Sequence, residues 1–114
     1  MLLLSFGTKI EHIMINVIAS IQIKDGRRSE FIEHFKANVP NVLEEKGCIA
    51  CAPTVDVLPG LPRQEVNENG VTVIEKWSSL EDLKAHLTAP HMLAFREKVQ
   101  DLMEGASLRI LEDA

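Results

Sequence analysis

The chain has 114 residues, 46% hydrophobic and 25% charged, a length and balance suited to one packed domain and not to a disordered or fibrous chain. With 12 Lys+Arg against 17 Asp+Glu the net charge is -5, and the densest basic cluster is Arg27-Arg28, so no nucleic-acid footprint or surface for anionic lipid is suggested. No run approaches the ~20 apolar residues of a membrane helix, and MLLLSFGTKIEHIM lacks the basic n-region and cleavage site of a signal peptide, so a cytoplasmic protein is expected.

Residues 1–13 precede the first clean pattern and are expected to form an N-terminal extension open to disorder, since termini not tied into a sheet fray. From Ile15 to Ile23, INVIASIQI puts Ile15, Val17, Ala19, Ile21 and Ile23 on one face, the period of a strand against a core. After a turn at Lys24-Asp25-Gly26, Phe31, Phe35, Val39, Val42 and Leu43 recur at helical spacing up to Gly47, a natural left-handed cap. Pro40 is expected to kink that helix. The pair Cys48-Ile49-Ala50-Cys51 follows the helix end, where the dipole disfavours a thiolate. Two small buried hydrophobes are therefore expected in place of a redox pair.

Ala50 to Leu58, with Val55 and Val57 on one face, reads as the second strand. The Asn69-Gly70 hairpin signal then leads into VTVIEKW, where Val71, Val73, Glu75 and Trp77 share a face. Ser78 with Glu81 makes a capping-box pattern for a helix with Leu80, Leu83 and Leu87 inward. Pro90 suits the first turn of a further helix carrying Met92, Phe95, Val99, Leu102 and Met103 on one stripe. Gly105 should end it, and SLRIL reads as the last strand. Residues 14–114 thus read as a single domain of the α+β class. Its order of strand, helix, strand, strand, helix and strand, with the second helix split at Pro90, is that of the split β-α-β or ferredoxin-like fold. The sheet face without helices still carries Ile18 and Ile74, so a partner subunit or a ligand should cover it.

The stretch EKWSSLEDLKAHLTAPH holds the sole tryptophan and two of the four histidines. Two histidines on one helix share a metal best at i and i+4; His86 and His91 are five apart and divided by Pro90, so no metal site is expected. Both fall on or beside apolar stripes, His91 next to Phe95 and Leu102. They read either as half-buried imidazoles bonded to carboxylate or backbone, or as groups that move a proton. His12 falls in the N-terminal extension and His34 on the polar side of the first helix, so both should be solvated. Glu75 shares a strand face with Trp77. It is either a cross-strand ion-pair partner or, if enclosed, a carboxylate able to orient or deprotonate a phenol-like ligand. No GxGxxG, GxxxxGK[ST] or GxSxG motif supports a nucleotide, a Rossmann-bound flavin or a serine hydrolase.

The segments EEKGCIACAPTVD, VIEKWSSLEDLKAHLTAPHMLAF and SLRIL, in that order after the INVIASI strand, resemble the antibiotic biosynthesis monooxygenase domain family, and within it the quinol monooxygenase-like branch. The likeness runs from about Met14 to Leu111 and is most distinctive from Trp77 to His91. It implies a homodimeric α+β barrel in which two sheets pack through their open faces, each subunit holding its own pocket for a small aromatic substrate. It also implies oxygenation of an electron-rich phenol, hydroquinone or polyketide by O2 without cofactor, metal, flavin or haem. On this resemblance His86, His91 and Glu75 are the candidate catalytic groups, while Trp77, Asn16 and Phe95 are the candidate substrate contacts. Where relatives often carry a tyrosine this chain has Cys51, and it has no tyrosine at all, so a tyrosine hydroxyl takes no part. A haem-degrading branch of the superfamily uses an asparagine, a tryptophan and a histidine. Trp77 and His86 resemble two of these, but the asparagine's place is Ala19, and Asn16 points to the opposite face. A dimer that binds a small ligand without catalysis is the third reading, because fold does not fix function.

Overall fold

The computed structural model describes residues 13–114; the expected N-terminal extension lies, except for Ile13, outside the described residues, as does His12. The elements are β1 (Ile15–Ile23), α1 (Arg28–Leu43), β2 (Cys48–Thr54), β3 (Gly70–Trp77), α2 (Leu80–Leu87), α3 (Pro90–Val99), a 3-10 turn (Gln100–Leu102) and β4 (Met103–Leu111). The four strands form one antiparallel sheet in the order β2-β3-β1-β4, giving an α+β fold with three helices on one face of the sheet.

Alternation along the strands sorts side chains between the two faces. Val17, Ala19 and Ile21 of β1 face the helices together with Val71, Val73, Glu75 and Trp77 of β3, in a register that sets Val17 opposite Glu75 and Ile15 opposite Trp77. Against this layer pack Phe31, Phe35 and Val42 of α1, Leu83 of α2, Val99 of α3 and Leu102, all buried. The rings of Phe31, Phe35 and Phe95 meet with centroids 5.5 to 6.2 Å apart and clamp α1 to α3. The opposite face presents Ile18 and Ile74, the latter about half exposed.

Four boundaries differ from the sequence expectation, each for a local reason. The second strand is Cys48–Thr54 and not 50–58: its pairing with β3 runs from Cys48 opposite Trp77 to Thr54 opposite Thr72, so Val55 and Val57 pass the last pair and stay exposed. Asn69-Gly70 makes no two-residue hairpin. Residues 55–69 form a long connection in which the Asn67 side chain accepts from the Asn69 N–H (2.9 Å) and its carbonyl from the Gly70 N–H (3.2 Å), a local Asx turn that displaces the tight turn. The cap of α2 is Ser79, whose hydroxyl accepts from the Asp82 N–H (3.1 Å), while Ser78 instead donates to the Asp82 carboxylate (3.0 Å). Gly105 lies inside β4, since the 3-10 turn has already ended the helical run.

α1 runs through Pro40 and ends at Leu43, one turn before Gly47. Gly47 has φ +82° and turns the chain into β2, while its carbonyl accepts from the Ser78 N–H (2.8 Å). This joins the end of α1 to the start of α2. A Cβ at position 47 would run into the Asp82 side chain, in a conformation that L-residues avoid. Gly47→Ala should therefore lower stability by about 1–3 kcal/mol, seen as a lower denaturation midpoint by circular dichroism. An unchanged midpoint would mean that this turn does not constrain the fold.

Candidate active site

Glu75 and Trp77 enter the site by strand alternation, two residues apart on the helix-facing side of β3. The Trp77 indole N–H donates to Glu75 Oε1 (2.9 Å), so the buried carboxylate keeps a polar partner and the fully buried ring a hydrogen bond. Across from them α2 carries His86, which the helical period places beside Leu83 on the buried side. Its imidazole lies over Trp77 with centroids 4.7 Å apart at 38°. His86 Nε2 stands 4.0 Å from Glu75 Oε1, too far for a hydrogen bond.

Behind His86 is a residue that periodicity did not single out. Glu45, in the turn between α1 and β2, points one oxygen, Oε2, at His86 Nδ1 (2.7 Å) and at His91 Nε2 (2.9 Å). His91, in the first turn of α3, meets Asn38 Nδ2 of α1 through its other nitrogen (3.2 Å), and the Asn38 carbonyl oxygen accepts from Asn41 Nδ2 (2.9 Å). The hydrogen bonds thus tie α1, α2, α3 and the turn before β2 together, and the contact of the His86 ring with Trp77 joins them to β3. The only hint of Glu45 in the sequence is its place in EEKGC, two residues before the Gly47 turn.

A cavity of about 250 Å³ opens between sheet and helices. Val17, Ala19, Ile21 and Val73 line it from the sheet, Phe35, Leu83, Leu87 and Met92 from the helices, and Ala106 and Leu108 from β4. Glu75 and His86 supply its inner polar end, and Arg96, whose guanidinium donates to the Leu87 carbonyl (2.8 Å), stands in another part of the wall. An apolar slot with few convergent polar groups is the usual form of a small-molecule site.

Of the residues singled out in the sequence, Glu75 and His86 line this cavity. Trp77 sits behind them, touching His86 and Glu75. His91 lies outside the cavity wall, beside a separate cleft between α1 and α3 that Phe95 also lines. Asn16 pairs with Lys76 and Leu111 and points to the opposite face of the sheet, as the strand period requires. Ala19 takes a place in the wall. His34, like Phe95, borders the outer cleft. Among the described residues, no group of three or more His, Cys, Asp or Glu side chains is arranged to hold a metal ion, and no helix is long and apolar enough to cross a membrane.

Comparison with known proteins gives a consistent result. The family model described as antibiotic biosynthesis monooxygenase matches residues 14–98. A protein of Escherichia coli K12 named "Probable quinol monooxygenase YgiN" is 38% identical over 101 residues, spanning 87% of this chain and 97% of that protein. Among solved structures, a conserved protein of unknown function from Bacteroides thetaiotaomicron superposes with a TM-score of 0.73 at 24% identity, covering 90% of this chain and 99% of the other. A conserved protein from Methanosarcina mazei does so with 0.78 at 19% identity, covering 94% and 99%. At these identities the structural likeness speaks for the fold alone.

The two free cysteines lie beside the site, Cys51 opposite Glu75 in the β2–β3 register and Cys48 opposite Trp77. Burial, with the nearby Glu75 carboxylate adding to it, pushes the Cys51 thiol up to about 12, and the same two causes raise Cys48. A raised thiol pKa keeps the neutral form, so Cys51 should stay a thiol across the whole neutral and mildly alkaline range. Iodoacetamide at pH 8 followed by peptide mass mapping is expected to leave Cys51 unmodified in the native protein and to label it in denaturant. Native labelling at the rate of a free thiol would contradict the burial.

Proposed function

The chain belongs to the antibiotic biosynthesis monooxygenase family, and is so an oxidoreductase of the monooxygenase type; from that premise we propose that it oxygenates a hydroquinone or similar electron-rich phenol with O2, without a bound cofactor, in the cavity between sheet and helices. The observation that carries this reading is the polar end of the slot: a histidine nitrogen with no hydrogen-bond partner among the described residues and a carboxylate face the same apolar space 4.0 Å apart. A hydroxyl placed between them reaches either acceptor. A relative that is 38% identical carries quinol monooxygenase in its name, which supports hydroquinones as the substrate class.

His86 Nε2 takes the hydroxyl proton, with Glu75 as the neighbouring acceptor. Trp77 holds Glu75 in place and backs the imidazole. The resulting phenolate is the reductant. It passes one electron to O2, and the two radicals join as a carbon–peroxide bond. The peroxide takes the proton stored on His86, the O–O bond breaks, and one oxygen leaves as water with the hydrogen of the attacked ring carbon. A phenol plus O2 thus gives a quinone plus water, and a hydroquinone plus O2 gives a hydroxyquinone plus water, with atoms and electrons balanced. The protein's share is to hold the ring, keep the proton and limit water, for which the aliphatic walls suffice. A slot of about 250 Å³, just under the usual ~300–1,000 Å³ of ligand pockets, suits one or two fused rings.

The uncovered sheet face, with Ile18 and Ile74 on it, supports a homodimer packed through that face. Light scattering should then give twice the 12.7 kDa of one chain. A clean 12.7 kDa particle would contradict the dimer.

His86→Ala should lower O2 uptake with menadiol by about 10²–10⁴-fold while circular dichroism stays that of the folded protein, the range expected for loss of a general base. Equal uptake by variant and wild type would remove His86 as the base and leave Glu75, tested by Glu75→Gln. Equal rates of quinone formation with and without the wild-type protein would overturn catalysis altogether.

A further inference from the structure

We propose that Glu45 decides which nitrogen of His86 faces the cavity, and that His91 and Asn38 hold Glu45 to that task. The inference rests on reading His86 as the base, and makes Glu45 a positioning residue, since it lies outside the cavity wall.

A neutral imidazole carries one N–H and one lone pair. Two carboxylates compete for the N–H of His86: Glu45 Oε2 lies 2.7 Å from Nδ1, and Glu75 Oε1 lies 4.0 Å from Nε2. Only the first distance is a hydrogen bond. The hydrogen therefore sits on Nδ1, and Nε2 presents a lone pair to the cavity. With Glu45 removed, Glu75 becomes the nearest anion; the hydrogen moves to Nε2, and the base points a donor at the substrate.

The second half of the network fixes Glu45. Asn38 uses each of its amide atoms: Oδ1 accepts from Asn41, while Nδ2 donates to His91 Nδ1 (3.2 Å) and toward the Met92 sulfur (3.5 Å). His91 Nδ1 is thereby an acceptor. Its own hydrogen is on Nε2 and donates to the same Glu45 oxygen at 2.9 Å. The oxygen that His86 relies on is so held from α3 as well, across the break at Pro90. After proton transfer the imidazolium lies between Glu45 behind and Glu75 in front, which suits a reaction that must store a proton and give it back.

The test is a long-range nitrogen–proton spectrum of histidine-labelled protein at pH 8, without substrate, beside kinetics with menadiol. The wild type is expected to show His86 as the Nδ1–H form, and Glu45→Ala as the Nε2–H form. In the same variant kcat should fall about 10²-fold or more, as when a buried carboxylate that orients a catalytic histidine is lost. KM should stay within about twofold, because Glu45 does not border the cavity. Glu45→Gln should restore the Nδ1–H form, and His91→Ala should give a mixture of the two. An Nε2–H form in the wild type, or an Nδ1–H form in folded Glu45→Ala, overturns the proposal, and the first of these needs no variant to fold. A tautomer switch in a protein that turns over no hydroquinone supports the positioning role and overturns the functional reading.

Discussion

A single carboxylate oxygen on Glu45 accepts from two imidazoles that arrive from opposite sides of a helix break. His86 belongs to α2 and His91 to α3, and between them Pro90 removes a backbone donor and starts a new helix. The five-residue spacing that prevents two histidines from sharing a metal on one helix lets them share a carboxylate once the helix is broken. Glu45 reaches both because α1 ends early and Gly47 folds the chain back toward β2, placing the turn against the start of α2.

The rest of the site follows from strand alternation. β3 delivers Glu75 and Trp77 to the same face at a spacing of two, and the pair is self-satisfying, since the indole N–H meets the carboxylate that would otherwise be buried without a partner. That leaves His86 Nε2 and the rest of the Glu75 carboxylate as neighbouring polar groups in a largely apolar slot whose other polar lining residues are Arg96 and Ser107. Burial, with the Glu75 carboxylate adding to it, holds the neighbouring Cys51 and Cys48 in their neutral thiol form.

Much of this was legible in the sequence. The alternation in INVIASIQI and VTVIEKW marked β1 and β3 and put Glu75 beside Trp77, and Pro90 marked the helix break. Boundaries were lost where pairing overrode pattern. Val55 and Val57 look like strand residues, but β2 is placed by its ladder with β3, which sets Cys51 opposite Glu75. Asn69-Gly70 looks like a tight hairpin, but the Asn67 side chain captures the turn. Glu45 was illegible for a deeper reason: a charged residue in a turn carries no period, and its role depends on two side chains more than forty positions away. Helical spacing put Phe95 against the core, where it meets Phe31 and Phe35, but spacing alone did not show that Phe95 and His91 border the cleft between α1 and α3 and not the cavity.

A slot that deprotonates a ring hydroxyl and inserts oxygen into that ring leaves an isotopic mark on its product. The direct measurement is the mass of the product formed from a hydroquinone under ¹⁸O₂ by the wild-type protein. One ¹⁸O atom in the quinone and the other in water is the predicted result. A quinone free of ¹⁸O, with all the label in hydrogen peroxide, would contradict oxygenation and leave simple oxidation in its place.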